Sequence, residues 1–128
     1  MQYDPQQELF TALKLGIEAK GYTVYDDGLP GEDAKYPFVY LGETRQADIG
    51  TKTAIMGNVF QHIQIWHTKK NRGTLSQITL DVKNVCRTIA KTSNFVWKVT
   101  NISGTVRSDK TTATPLLFSD LNIEFYFS

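Results

Sequence analysis

The stretch Leu116–Phe127, with the sequence LLFSDLNIEFYF, decides the fold class, because apolar and polar residues alternate along it. An alternation with a period of two is typical of a β-strand that packs one face on a core and exposes the other. The sequence therefore predicts a strand here with one buried face. The residues predicted for the buried face are Leu117, Leu121, Ile123, Phe125 and Phe127, and those for the other face are Asp120, Asn122 and Glu124.

Four further segments are predicted as strands, at residues 22–25, 38–45, 59–67 and 95–103. The third is especially rich in β-branched and aromatic residues, which favour strands. We expect the second and third to pair as an antiparallel hairpin around a polar connection at residues 46–58. Residues 26–37, punctuated by glycine and proline, are predicted as a loop. The polar residues 104–115 are predicted to connect the last two strands.

The first predicted helix covers residues 5–20. Asp4 is expected to be its N-cap, because an aspartate side chain accepts hydrogen bonds from the free N–H groups of a first turn. Pro5 suits the first helical position, where its missing N–H has no partner to lose. Gly21 is expected to end the helix. The apolar residues that share one stripe are Leu9, Leu13 and Ile17.

The second predicted helix opens at Gly73, with Thr74 or Ser76 as its cap. Lys91 would lie in the last turn, where a cation suits the negative helix end. Spacings of three and four residues place the apolar side chains of this segment on one seam. They are Leu75, Ile78, Val82, Val85 and Ile89.

The predicted order of elements is α-β-β-β-α-β-β, in a single domain over residues 1–128. Two helices can cover only one face of a sheet of four or five strands. The predicted architecture is therefore a two-layer α+β sandwich, with a mixed, mostly antiparallel sheet and both helices on one face. A chain of 128 residues is long enough for one core to hold it without disulfides.

The composition is that of an ordinary globular protein, with 41% hydrophobic and 21% charged residues. The net charge of +1 argues against a dedicated nucleic-acid binder, whose affinity comes from a basic excess. No apolar run approaches the roughly 20 residues of a membrane span. Residues 1–5 lack the pattern of a secretory signal. We expect a soluble cytoplasmic protein with no membrane contact.

No arrangement of residues predicts catalysis. His62 and His67 lie five residues apart on a predicted strand, so their side chains point to opposite faces and cannot share a metal ion. Cys86 is the single cysteine, which excludes an internal disulfide and a cysteine-based zinc site. Its apolar neighbours favour a buried thiol over a nucleophile. We expect no enzyme, no cofactor and no metal; a small hydrolase would require a base beside Cys86.

A cluster of three cations, Lys69, Lys70 and Arg72, precedes the second helix. A helix N-terminus with cations nearby is able to hold a phosphate group. Three cations without a wider basic surface more often mark a solvated turn. The cluster, together with the nearby Trp66, defines one alternative function: a small nucleic-acid-binding accessory domain.

The connection at residues 46–58 is long for a structureless loop, and it contains Ile49, Ile55 and Met56 among polar residues. These hydrophobic residues either fold back onto the core or become ordered against a partner. The sequence favours neither reading.

Large aromatic residues are also expected on the sheet face that the helices leave open. Phe60 and Trp66 alternate with Ile63 and Ile65, so they belong to the opposite face, and Trp97 adds a further large side chain. Monomers seldom expose contiguous apolar patches of many hundreds of Å², and aromatic residues are enriched at protein interfaces. Self-association is therefore expected.

Several short motifs, in order, resemble a known family. They are Tyr36-Pro37-Phe38-Val39-Tyr40-Leu41-Gly42-Glu43, Thr51-Lys52-Thr53, Ile63-Gln64-Ile65-Trp66 and Gly73. Over roughly residues 5–90 the chain resembles the tail-completion, or tail-to-head joining, proteins of long-tailed bacteriophages, which are akin in role to tail terminators.

The resemblance implies a structural virion protein that forms a ring, typically a hexamer, at the head-proximal end of the tail. Such a ring ends polymerisation of the tail tube and presents a surface to the head–tail connector, while DNA passes through the lumen without specific binding. Before assembly the protein would be in the host cytoplasm. Carried onto this sequence, the resemblance implies a loop that contacts the tail-tube protein or a neighbouring subunit, containing Asp48, Thr51, Lys52, Ile55 and Met56. The open sheet face and the strand edges would supply subunit contacts.

Overall fold

The computed structural model describes residues 4–31, 34–50, 55–111 and 113–128. Its helices are α1 (Pro5–Ala19) and α2 (Arg72–Thr88), and a single 3₁₀ turn (Lys69–Asn71) leads directly into α2. Its strands are β1 (Val24–Tyr25), β2 (Phe38–Ile49), β3 (Met56–Thr68), β4 (Trp97–Asp109) and β5 (Leu116–Phe127).

The strands form one sheet in the order β1-β2-β3-β5-β4. β1 runs parallel to β2, whereas β2–β3, β3–β5 and β5–β4 are antiparallel. The predicted fold class is therefore confirmed: an α+β fold in the order α-β-β-β-α-β-β, with a mixed five-stranded sheet and two helices.

The start of α1 follows the prediction. Asp4 has an extended backbone, and its carboxylate accepts a hydrogen bond of 3.0 Å from the N–H of Gln6. Pro5 is the first helical residue. Gly21 follows the helix with a φ of 94°, in the left-handed region that glycine enters without steric cost.

The predicted boundaries of α2 were wrong at both ends. The helix begins at Arg72, with Asn71 at the N-cap and no capping hydrogen bond from its side chain, so neither Thr74 nor Ser76 caps it. The preceding 3₁₀ turn explains this, because it delivers the chain already helical to Arg72. The helix ends at Thr88, and Lys91 instead forms a β-bridge with Val96.

Both helices cover the same face of the sheet. The apolar stripe predicted for α1 is buried, and so is the seam of α2 apart from Ile89, which is half-buried just beyond the helix. A β-carbon on Gly16 would lie 2.8 Å from Val85 Cγ1, so this glycine allows α1 to approach α2 closely. The sheet contributes fully buried residues to the same core, among them Val39, Val59, Ile63, Ile65, Ile123, Phe125 and Phe127.

Two strands are longer than predicted at the hairpin. β2 extends to Ile49 and β3 begins at Met56, and these two residues are paired across the ladder. The predicted connection at residues 46–58 is therefore mostly strand. The described polar residues do not prevent strand formation, because Asp48 is exposed and Gln46 and Asn58 are only half-buried, so their side chains keep contact with solvent.

β4 is also longer than predicted, since residues 104–109 continue the ladder with β5 as far as the pair Asp109–Leu116. Polar and small residues in this segment indicated a connection. Their side chains are exposed, and backbone pairing with the strongly alternating β5 supplies the order that their own composition does not.

The prediction for the open sheet face was wrong in part. Trp97 lies on the covered face, in edge contact with Phe125 at a centroid distance of 6.1 Å. Trp66 does lie on the open face, but it stacks on Phe118 at 4.2 Å and is only 8% exposed. The loop after β1 folds over this end of the face, because Ala34 and Tyr36 pack against the cluster of Phe38, Trp66 and Leu116.

Gly57 of β3 pairs with Asp48 of β2, and the backbone of β2 leaves no room for a side chain at this position. A β-carbon at this position would be 2.3 Å from the carbonyl oxygen of Ala47 and 2.9 Å from Asp48 Cα, both of which are backbone atoms that have little room to move. We expect Gly57→Ala to lower the free energy of unfolding by about 1–3 kcal/mol, measured by urea denaturation. Gly50→Ala is the matched control, because nothing lies within 4 Å of its added methyl group. Equal stability of the two variants would contradict this account of the hairpin.

Candidate assembly surfaces

The residues predicted as a partner-binding loop lie at the end of the β2–β3 hairpin. Asp48 belongs to β2 and Met56 to β3, so the expectation that they sit in a loop was wrong. Ile55 directly precedes β3. Thr51 and Lys52 lie outside the described residues.

Exposure separates these residues into two groups. Ile55 is 54% exposed, and the neighbouring Ile49 is 46% exposed, so neither folds back onto the core. Met56 is half-buried, and its sulfur accepts a hydrogen bond from the hydroxyl of Tyr126 at 3.5 Å. Of the two readings for the hydrophobic residues, docking therefore fits Ile49 and Ile55, and packing fits Met56.

The three cations of the predicted anion site are all exposed. Lys69 and Lys70 lie on the 3₁₀ turn, and Arg72 is the first residue of α2. The described part of the chain places no acidic side chain within ion-pair distance of them. Trp66 is buried in its aromatic stack, so it offers no free ring for a nucleic-acid base beside these cations.

The middle of the open sheet face is a shallow polar concavity of about 500 Å³. On its floor, the Arg45 guanidinium lies 4.2 Å from the centroid of the Phe60 ring, and His62 contacts the Asp120 carboxylate. The remaining polar lining comes from Glu43, Thr44, Gln61, Asn101, Ser103, Asn122 and Glu124. The centre of this face is therefore lined by polar residues and charges of both signs around Phe60, and not by the aromatic patch that the sequence indicated.

The sheet has two long edge segments with no paired strand among the described residues. β1 covers only Val39 and Tyr40 of β2, so the outer edge of β2 is open from Gly42 onward. On the other side, the Trp97 N–H donates to the carbonyl oxygen of Ala90 at 2.9 Å, and the outer edge of β4 is open beyond that point. Sequence reasoning did not single out these segments, because edge position is a property of topology; their lack of proline is the one local signal.

The buried cysteine has the environment that the sequence predicted. Cys86 lies on the buried side of α2 and is fully buried in the core between the helices and the sheet. Burial raises the pKa of its thiol to about 12. His62 and His67 occupy opposite faces of β3, as expected, since His67 is buried while His62 lines the concavity.

The described residues contain neither a candidate metal site nor a candidate membrane-spanning helix. Residues 4–31, 34–50, 55–111 and 113–128 contain no group of three or more His, Cys, Asp and Glu side chains placed to hold a metal ion. Across the same residues, neither helix has the length and apolar character needed to cross a membrane.

Comparisons with known proteins identify the fold. No family model and no curated protein sequence matches this chain. Among solved structures, a chain from the virion of a native gene transfer agent particle superposes with a TM-score of 0.70 at 18% identity, over 98% of both chains. A second solved structure has a TM-score of 0.60 at 12% identity, covering 98% of this chain and 97% of the other. At these identities the likeness establishes a shared fold over the whole chain.

Cys86 allows a direct test of the core. With a pKa of about 12, about one thiol in ten thousand is ionised at pH 8. We expect the native protein to leave Ellman's reagent unreacted at pH 8 over hours and to release one equivalent of thionitrobenzoate in urea. Rapid labelling of the native protein would contradict the burial of this thiol.

Proposed function

We propose that this chain is a structural protein of a phage or phage-like virion and that it works by binding, not by catalysis. The observation that supports this most is the likeness, over 98% of both chains, to a chain of a gene transfer agent virion. The resemblance of the sequence motifs to tail-completion proteins is independent of that superposition and leads to the same class of particle.

Within the virion, we assign the chain to the head-proximal end of the tail. Copies of the chain form a ring, a hexamer in the family that the motifs resemble, and the ring docks on the last ring of the tail tube. By covering the surface to which another tube ring would add, it ends polymerisation. Its far surface then binds the head–tail connector. A heterologous interface suits this role, because a rotation that closes limits the number of copies.

The end of the β2–β3 hairpin is the proposed contact with the tail-tube protein. Ile49 and Ile55 are exposed at this end, and a partner that buries them gains the free energy of removing apolar surface from water. Asp48 is exposed beside them, hydrogen-bonded by Gln46 at 2.5 Å, and gives the contact a polar rim.

The alternative function is nucleic-acid binding through Lys69, Lys70 and Arg72, which are exposed. A salt titration separates the two functions, because binding to phosphates weakens steeply as the salt concentration rises. Tight DNA binding at physiological salt that requires these three cations would favour the alternative. The buried ring of Trp66 counts against it.

Electron microscopy of tails assembled with and without the chain tests the proposed role. Tubes of uncontrolled length in its absence indicate a terminator. Tails of normal length that fail to join heads indicate a joining protein. Normal, head-joined tails in its absence would overturn both roles.

Ile55 gives the sharpest variant. We expect Ile55→Asp to leave the free energy of unfolding within about 0.5 kcal/mol of the wild type, because the side chain is exposed. Binding to purified tail tubes should weaken by at least tenfold, since a carboxylate would have to be desolvated in the contact. Co-sedimentation with tubes measures the binding.

Leu15→Asp is the matched control, because Leu15 is 63% exposed on α1, away from the hairpin. It should bind tubes as the wild type does. Equal weakening by both substitutions would show a general effect of charge. Loss of several kcal/mol of stability in Ile55→Asp would place this residue in the core instead.

A further inference from the structure

We infer that neighbouring copies join edge to edge, with β4 of one copy pairing with β2 of the next, so that their sheets continue around the ring. This inference rests on the proposed function and specifies its subunit interface. Among the described residues, no strand pairs with the outer edge of β2 beyond Tyr40 or with that of β4 beyond Trp97. An open edge presents a row of free N–H and C=O groups that template pairing with another strand.

The strand directions suit this pairing. β3 is antiparallel to both β2 and β5, and β5 is antiparallel to β4, so β2 and β4 run in opposite directions. Neighbouring copies in a ring are related by a rotation about the ring axis. If that axis lies near the strand direction, each strand points the same way in every copy. β4 and the neighbouring β2 therefore meet antiparallel, which is the more stable arrangement per residue.

The bulges limit the register. The ladder of β2 is irregular between Leu41 and Thr44, and that of β4 between Val99 and Asn101. The regular open stretches are therefore residues 44–49 of β2 and residues 101–109 of β4, and Glu43, which lines the concavity with Arg45, directly precedes the first of them. Within one copy, Thr44 lies level with Ile102 through Gln61 and Ile123. We call the shift of one copy along the strand direction relative to its neighbour the stagger, which is zero when Thr44 of one copy faces Ile102 of the next. All of residues 44–49 pair within residues 101–109 only if the stagger is at least four residues.

Face matching and charge select one stagger. Only even staggers keep the helix-side residues of both copies on the same face. A stagger of six would place Arg45 opposite Arg107 and Glu43 opposite Asp109, and like charges directly opposite are destabilising. A stagger of four places Glu43 opposite Arg107 instead, a pair of opposite charges.

The stagger of four also gives the strand slope of a closed sheet. Four residues correspond to about 13 Å along a strand, and four long strands make each copy about 19 Å wide. The shift divided by the width is the tangent of the angle between the strands and the ring axis. This angle is about 35°, at the lower end of the range of about 35–45° seen in closed sheets. The tilt depends on the width of one copy, so it holds for any number of copies.

Ring closure assigns the two faces of the sheet. The layer of helices is thicker than the sheet and needs the larger circumference of the ring. The helices therefore lie on the outside of the ring, and the open face of the sheet lines the channel. That face carries both signs of charge among the described residues that the strand registers place there: Arg45, Lys98 and Arg107 against Glu43, Asp109, Asp120 and Glu124. A channel of this kind has little net attraction for phosphates, which suits the passage of DNA.

Engineered disulfides test the register. In the proposed seam Ala47 lies directly opposite Ser103, and both are exposed in the single copy. Directly opposite residues have Cα atoms about 4.5–5.5 Å apart, within disulfide reach. We expect oxidised Ala47→Cys/Ser103→Cys to give a covalent ladder that ends at one largest species, alone at high concentration or on assembled tails. Cys86 is buried and does not interfere.

Ala47→Cys/Thr105→Cys is the matched control, because it links only at a stagger of six. It should yield at least tenfold less of the linked ring. Cross-linking of the control as efficiently as the proposed pair, or no ladder from either on tails, would overturn the inference. If the double-cysteine variant does not cross-link but still ends tails at normal length, the proposed function stands and the contact between copies lies elsewhere. If the protein has no effect on the length of tails or on their joining to heads, the proposed function fails.

A charge exchange provides a second test that needs no cysteine. Glu43→Arg alone should weaken ring formation by about tenfold in analytical ultracentrifugation, because it faces Arg107 of the neighbour across every seam. Adding Arg107→Glu should restore assembly. Failure of the double variant to recover, with each single variant folded, would contradict the seam.

Discussion

The pairing of β3 with β5 is the constraint on which the rest of this structure depends. The two strands are matched from Gly57–Phe127 to Thr68–Leu116 without a break. Along each of the two strands, every second residue faces the helices and is buried, as Ile63, Ile65 and Ile123 illustrate. The helix α2 packs on this pair, α1 packs on α2 and β2, and β2 and β4 are added on either side of the pair. A register slip of one residue would turn the entire apolar set toward solvent, so the pairing is strongly determined.

The elements that the sequence predicted best are those whose burial is periodic. The observed bounds of β5 are those predicted, and the N-cap and buried apolar stripe of α1 are also those predicted. Both elements were predictable because one face of each is buried over its whole length. The ends of β2 and β4 were missed, since residues 46–49 and 104–109 carry no burial pattern of their own. Their order comes from backbone pairing with a neighbour, which composition does not record.

Trp97 and Trp66 show a second limit. Alternation assigns each side chain a face relative to its own strand, but it does not say which face of one strand matches which face of the next. Trp97 was therefore placed with Trp66, whereas the bulge and register of β4 turn it toward Phe125. Burial of Trp66 by the loop after β1 depends on contacts between residues far apart in the chain, such as Tyr36 with Phe38 and Phe38 with Trp66. The candidate surfaces were predicted only in part: the exposure of Ile55 fits a docking role, whereas the absence of proline was the only sequence signal for the open segments of β2 and β4.

The two tryptophans occupy opposite ends of the sheet, one level with Phe118 on the open side and the other level with Phe127 under the helices. The molecule thus contains two tryptophan fluorophores in separate surroundings, one stacked on phenylalanine beneath a surface loop and one enclosed by the main core. Emission from Trp66 reports on events at the loop-covered end, and emission from Trp97 reports on the layer of helices. Replacing either by phenylalanine would leave a single optical probe with which loosening of each half of the protein can be followed separately.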